Sequence, residues 1–145
     1  MKSFNPNEQS IQSYSKLKDG EIITAIENSH LSFMNWKSTD FSKRSSLMKK
    51  VANILKDNLE EYAQLITKEM GKPIKESLAE IDKCAWVCDY YAENAEEFLQ
   101  NKIIETDFTK SYVRFDPIGT ILAVMPWNFP FWQVFRFAAP TIMAG

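Results

Sequence analysis

The sequence predicts an α/β fold: a helical lead-in followed by the first β-α unit of a parallel sheet. Three observations carry this. Apolar residues recur at helical spacing through most of positions 22–99. A short continuous apolar run, residues 120–125, has the composition of a strand buried on both faces of a parallel sheet. A tight loop at 126–130 and a second apolar, helix-like stretch then follow, in the order strand, loop, helix. A β-α unit needs a second parallel strand, and none appears before Gly145. The fold is therefore expected to be incomplete and the chain cut short.

In chain order, residues 1–18 are polar without helical period and read as a loop or short edge strand. Asp19-Gly20 is a turn signal. Ile22, Ile26, Ser29, Phe33 and Trp36 then mark an amphipathic helix. Ser38, Thr39 and Asp40 offer N-caps for a second helix, whose expected buried face is Leu47, Val51, Ile54 and Leu55. A third runs from about Leu59 to Met70 and stops at Gly71, with Pro73 beyond. Pro73 also suits the first turn of a fourth helix. There Ile74, Leu78, Ile81, Ala85, Cys88, Ala92, Ala95 and Leu99 form one stripe, as in a long helix packed along one side. Residues 106–115 are β-rich and 116–119 form a turn. A last helix is expected from Pro130.

Composition bounds the function. Hydrophobic residues are 45% and charged residues 25%, as in a soluble globular chain. No apolar run approaches the roughly 20 residues of a membrane span, and the N-terminus lacks a secretory apolar core. A cytoplasmic location is expected. The net charge of −2 points to no nucleic acid and no membrane. That charge is unevenly spread, since no Asp or Glu follows Asp116 and Arg136 is the one base in the last 29 residues. Cys84 and Cys88, four apart, read as buried thiols. His30 is the only histidine, so no metal site is expected. There is no glycine-rich phosphate loop, no triad and no evident nucleophile.

Two polar residues interrupt the apolar end. Asn128 falls in a tight loop between the expected strand and helix, the edge at which open α/β sheets bind ligands. Its amide is either an oxyanion donor or a turn-capping group. Arg136 lies among Val134, Phe135, Phe137 and Ala138. If buried it needs a carboxylate partner or an anionic ligand, which its planar fork suits. A structural ion pair or a snorkelling side chain is the alternative.

The segment "PWNFP" at 126–130 resembles the signature of the aldehyde dehydrogenase superfamily. "EMGKP" at 69–73, "YVRFDPIGTILAVM" at 112–125 and "AAPTIMAG" at 138–145 extend the resemblance over the chain. The bacterial succinate-semialdehyde dehydrogenase branch is the most similar. The resemblance implies an N-terminal fragment of an incomplete aldehyde dehydrogenase fold. Residues 1–103 would be the helical part of a Rossmann-like cofactor-binding domain, 104–116 the start of an oligomerisation β-ribbon, and 117–145 the first β-α of the cofactor sheet.

The resemblance also implies oxidation of an aldehyde to an acid with NAD or NADP, in a complete protein that is a homo-oligomer. A cysteine thiolate adds to the aldehyde, Asn128 stabilises the thiohemiacetal oxyanion, and a glutamate activates water. That cysteine and glutamate match nothing here, so the chain alone is expected to be inactive. Arg136 would grip the substrate's distal carboxylate, Phe129 and Trp132 would shape the aldehyde channel, and Met125, Pro126 and Trp127 would line the nicotinamide side. Where many members carry a lysine, this chain has Phe137. The alternative is a truncated, non-catalytic module that docks on a partner or a full-length homologue.

Overall fold

The longest apolar stripe becomes the longest helix, and the other buried helices pack around it. The computed structural model describes residues 2–6 and 8–145; Met1 and Asn7 lie outside the described residues. The elements are β1 (Lys2–Phe4), β2 (Ile11–Ser13), α1 (Asp19–Trp36), α2 (Phe41–Asp57), α3 (Leu59–Met70), α4 (Ile74–Phe98), β3 (Lys102–Ile103), β4 (Tyr112–Val113) and α5 (Trp132–Ala144). Helix α4 contacts α2, α3 and α5. Ile81, Ala85, Cys88, Ala92 and Ala95 of the expected stripe are buried. Packing on more than one side widens that face to Ser77, Glu80, Cys84 and Val87. Ile74, at the helix start, stays exposed.

Local signals set the helix ends. The Asp40 carboxylate accepts the Lys43 N–H at 2.7 Å and caps α2. That bond, joined by one from the Ser42 hydroxyl, holds the Asp40 carboxyl below its ordinary pKa. Gly71 ends α3 in the left-handed conformation, φ 73°, which a side chain would resist. Asp19-Gly20 is not a turn but the first residues of α1. The Glu21 carboxylate reaches back to the Lys18 N–H at 2.6 Å and starts the helix there. The buried face of α2 is rotated from expectation: Met48, Ala52 and Leu55 are inside, while Leu47 and Ile54 face solvent. Helix α1 buries no residue; its Trp36 indole N–H donates to the Ile142 carbonyl at 2.9 Å.

The sheet differs most from expectation. Among the described residues the strands form two antiparallel pairs, β1 with β2 and β3 with β4. Residues 120–125 make no strand, and Leu122 and Val124 are 88% and 85% exposed. A parallel strand takes its hydrogen bonds from neighbours, and no neighbour stands beside this one among the described residues. The last helix starts at Trp132, with 130–131 still in the preceding turn. No helix among the described residues is long and apolar enough to cross a membrane.

Candidate active site

Helix α5 carries no charge of its own at either end, and both ends are completed from other helices. At its N-terminus no side chain of the capping residue, Phe131, bonds the free N–H groups, and the first turn holds no acid. The Glu80 carboxylate of α4 supplies the acceptor: its Oε1 takes the N–H of Phe131 and of Trp132, each at 3.0 Å. Its Oε2 pairs with the Lys72 ammonium. The Glu80 side chain is 1% exposed, so its charge needs both the ammonium and the helix N-terminus. At the other end Arg44 of α2, also buried, donates to the Met143 carbonyl at 3.1 Å and to the Lys37 and Trp36 carbonyls near the end of α1. Its ring neighbours are Trp36 and Phe41.

A cleft of about 350 Å³ opens where the N-terminal part of α5 meets α4. Glu76, Ala79, Glu80 and Lys83 form one wall, and Asn128, Phe129, Trp132, Gln133 and Arg136 the other. Four expected site residues therefore come together here. Met125, Pro126 and Trp127 do not join them. Trp127 borders a separate hollow beside Phe4, Glu69 and Met70, and the other two line neither. A larger hollow of about 870 Å³, between α2 and residues 114–121, contains none of the expected residues.

Both members of the polar pair stand at the surface of this chain. Arg136 is exposed rather than buried, although its chain neighbours are apolar. Successive side chains on a helix point about 100° apart, so apolar neighbours in sequence do not bury a residue. Asn128 is also exposed, in the turn before α5, not in a dry site. The aromatic residues of the wall are held by cations: Lys72 lies 3.7 Å over the Phe129 ring and Lys83 4.1 Å over the Trp132 ring. The Gln133 Oε1 is buried without a partner among the described residues, an acceptor in the cleft wall.

Sequence reasoning missed Glu80, Lys72 and Lys83. One signal was available: a downstream helix with no N-terminal acceptor of its own, while Glu80 lay beside the expected stripe of α4 and not in it. The cysteines are buried and free, as expected. Burial, aided by the charge of Glu80, pushes the Cys84 thiol up to about 12; burial pushes Cys88 to about 11. Both stay protonated at neutral pH and are poor nucleophiles. No cluster of three metal-ligating side chains exists among the described residues.

Met125, Pro126 and Trp127 form an apolar strip, and Trp127 is 76% exposed. The exposed Trp127 indole offers a flat face on which a flat ring can stack and a single side-chain N–H donor.

Comparison with known proteins now bears on this geometry. The profile of the aldehyde dehydrogenase family matches residues 1–145. The chain is 44% identical over 137 residues to a probable succinate-semialdehyde dehydrogenase [NADP(+)] of Synechocystis, covering 94% of this chain and 30% of that protein. It is 40% identical over 125 residues to an Escherichia coli succinate semialdehyde dehydrogenase [NAD(P)+], covering 86% and 27%. Its structure is similar to the crystal structure of succinic semialdehyde dehydrogenase from Streptococcus pyogenes in complex with NADP+. That TM-score is 0.94 at 36% identity, covering 99% of this chain and 32% of the other. The chain thus spans about 30% of the length of the curated relatives it matches.

Proposed function

The chain belongs to the aldehyde dehydrogenase family, and from that premise we propose that it is the N-terminal portion of an NAD(P)-dependent enzyme that oxidises succinate semialdehyde to the acid. One observation carries the reading beyond family likeness: Asn128 and Arg136 line the same cleft. An aldehyde with a carboxylate at its far end needs a neutral donor at one end and a cation at the other. The Asn128 amide is the donor, and the Arg136 guanidinium grips the carboxylate with two parallel N–H bonds. Phe129 and Trp132 supply the apolar wall between them. The names of the relatives support this substrate.

In this reading a thiolate from residues outside the chain adds to the aldehyde carbon and forms a thiohemiacetal. Negative charge then develops on the former carbonyl oxygen, and the Asn128 amide stabilises it. Met125, Pro126 and Trp127 would hold the nicotinamide ring of NAD or NADP, which when bound accepts the aldehyde hydrogen with its electron pair. The division at residues 103 and 116, with a β-ribbon that joins subunits of a cytoplasmic homo-oligomer, belongs to the same proposal. The test is steady-state kinetics of the complete protein. Asn128→Ala is expected to lower kcat about 10²–10³-fold on every aldehyde; an unchanged kcat refutes the assignment.

A second reading, a non-catalytic docking module, is favoured by the exposed apolar strip around Ile118, Leu122 and Val124. It expects the isolated chain to self-associate or bind a homologue. A well-behaved monomer on size-exclusion chromatography contradicts it.

A further inference from the structure

We infer that Glu80, neutralised by Lys72, is a positioning residue that sets where the Asn128 amide stands. The inference rests on the role proposed for Asn128.

An oxyanion donor works only if it is held about 2.7–3.1 Å from the place where charge develops. Within this chain the Asn128 turn makes few contacts of its own. Trp127, Asn128 and Phe129 are all exposed, and no protein hydrogen bond fixes the Asn128 side chain among the described residues. The turn is instead pinned just after Asn128, from the next residue to the start of α5, by one buried ion pair. Glu80 binds the N–H groups of Phe131 and Trp132 at 3.0 Å each, three and four residues after Asn128. Lys72, the partner of Glu80, lies over the ring of Phe129, the residue next to Asn128. The two charges tie the start of α5 to α4 and to the residue after Gly71.

Burial makes this clamp stiff. The Glu80 and Lys72 side chains are 1% and 10% exposed, so water screens the pair weakly. The carboxylate also meets the positive end of α5. Shortening or removing it leaves two half-buried N–H groups at the start of α5 without their acceptor, and the turn shifts to let water replace it. A shift of about 1 Å at a reacting group costs on the order of 100-fold in rate.

A double-mutant cycle on kcat in the complete protein tests this, using Glu80→Ala, Asn128→Ala and the pair. Glu80→Ala is expected to lower kcat on the order of 100-fold with little change in KM. In the Asn128→Ala background the same change is expected to cost almost nothing, because no positioned amide remains to be lost. Glu80→Asp keeps the charge and the fold but shortens the reach. It is expected to give a smaller loss, also erased by Asn128→Ala. Equal losses from Glu80 variants in both backgrounds mean a merely structural role and overturn the inference, as does full activity in Glu80→Asp. If Asn128→Ala itself leaves kcat unchanged, the proposed function fails instead.

Discussion

Helices α2 to α5 and the stretch from 99 to 131 are built from similar apolar residues and end in opposite states. Ile81 is 0% exposed, whereas Ile118 and Leu122 are each 88% exposed. Among the described residues no side chain between 99 and 131 is buried. The difference lies in where the backbone finds its hydrogen bonds. A helix satisfies its own peptide groups and needs only one apolar face covered. A sheet strand needs neighbouring strands before its side chains can be enclosed. Helices α2 to α5 therefore share a buried core, whereas residues 120–125 find no partner strand among the described residues. The candidate cleft lies on the seam, with its fixed wall on α4 and its reactive amide on the open side.

Substitutions can break this contrast. Ile81→Ala is expected to cost about 3–4 kcal/mol in urea unfolding of the chain, through a cavity beside Cys84 and Ala85. Arg44→Ala follows at about 3 kcal/mol, because the carbonyls of Met143, Lys37 and Trp36 lose a charged donor.

The thiols give a pH test. Their folded pKa values lie above the ordinary value of 9.0. Above pH 9 the unfolded chain releases protons that the folded chain keeps, so stability falls as pH rises from 9 towards about 12. Unfolding midpoints measured across that window check the sign. The smallest effect is expected on the open side, where Leu122→Ala changes the stability of this chain by less than about 0.5 kcal/mol. A loss near that of Ile81→Ala contradicts the contrast.

What was legible in the sequence follows the same physics. Asp40, Gly71 and Pro73 mark helix ends through bonds made within a few residues, and the core of the α4 stripe follows from spacing alone. In the cleft, Asn128 and Arg136 were legible as the two polar residues that interrupt an apolar run, whereas Phe129 and Trp132 entered only through the family resemblance. Glu80 was hidden because the groups it binds are 51 and 52 residues away. Residues 120–125 have the composition of a strand, but composition reports suitability for a sheet, and the second parallel strand that the sequence lacks is what pairing requires. Whether Arg136 is buried or snorkels was left open by the sequence, because apolar neighbours in sequence do not fix neighbours in space.

The most direct test of the substrate reading is kcat/KM of the complete protein, with and without Arg136→Ala, on succinate semialdehyde and on a neutral aldehyde of equal length. Loss of a charged, two-bond contact predicts a fall of about 10–100-fold for succinate semialdehyde, with the neutral aldehyde nearly unaffected. Equal falls on both aldehydes would contradict the assignment of Arg136 to the substrate carboxylate.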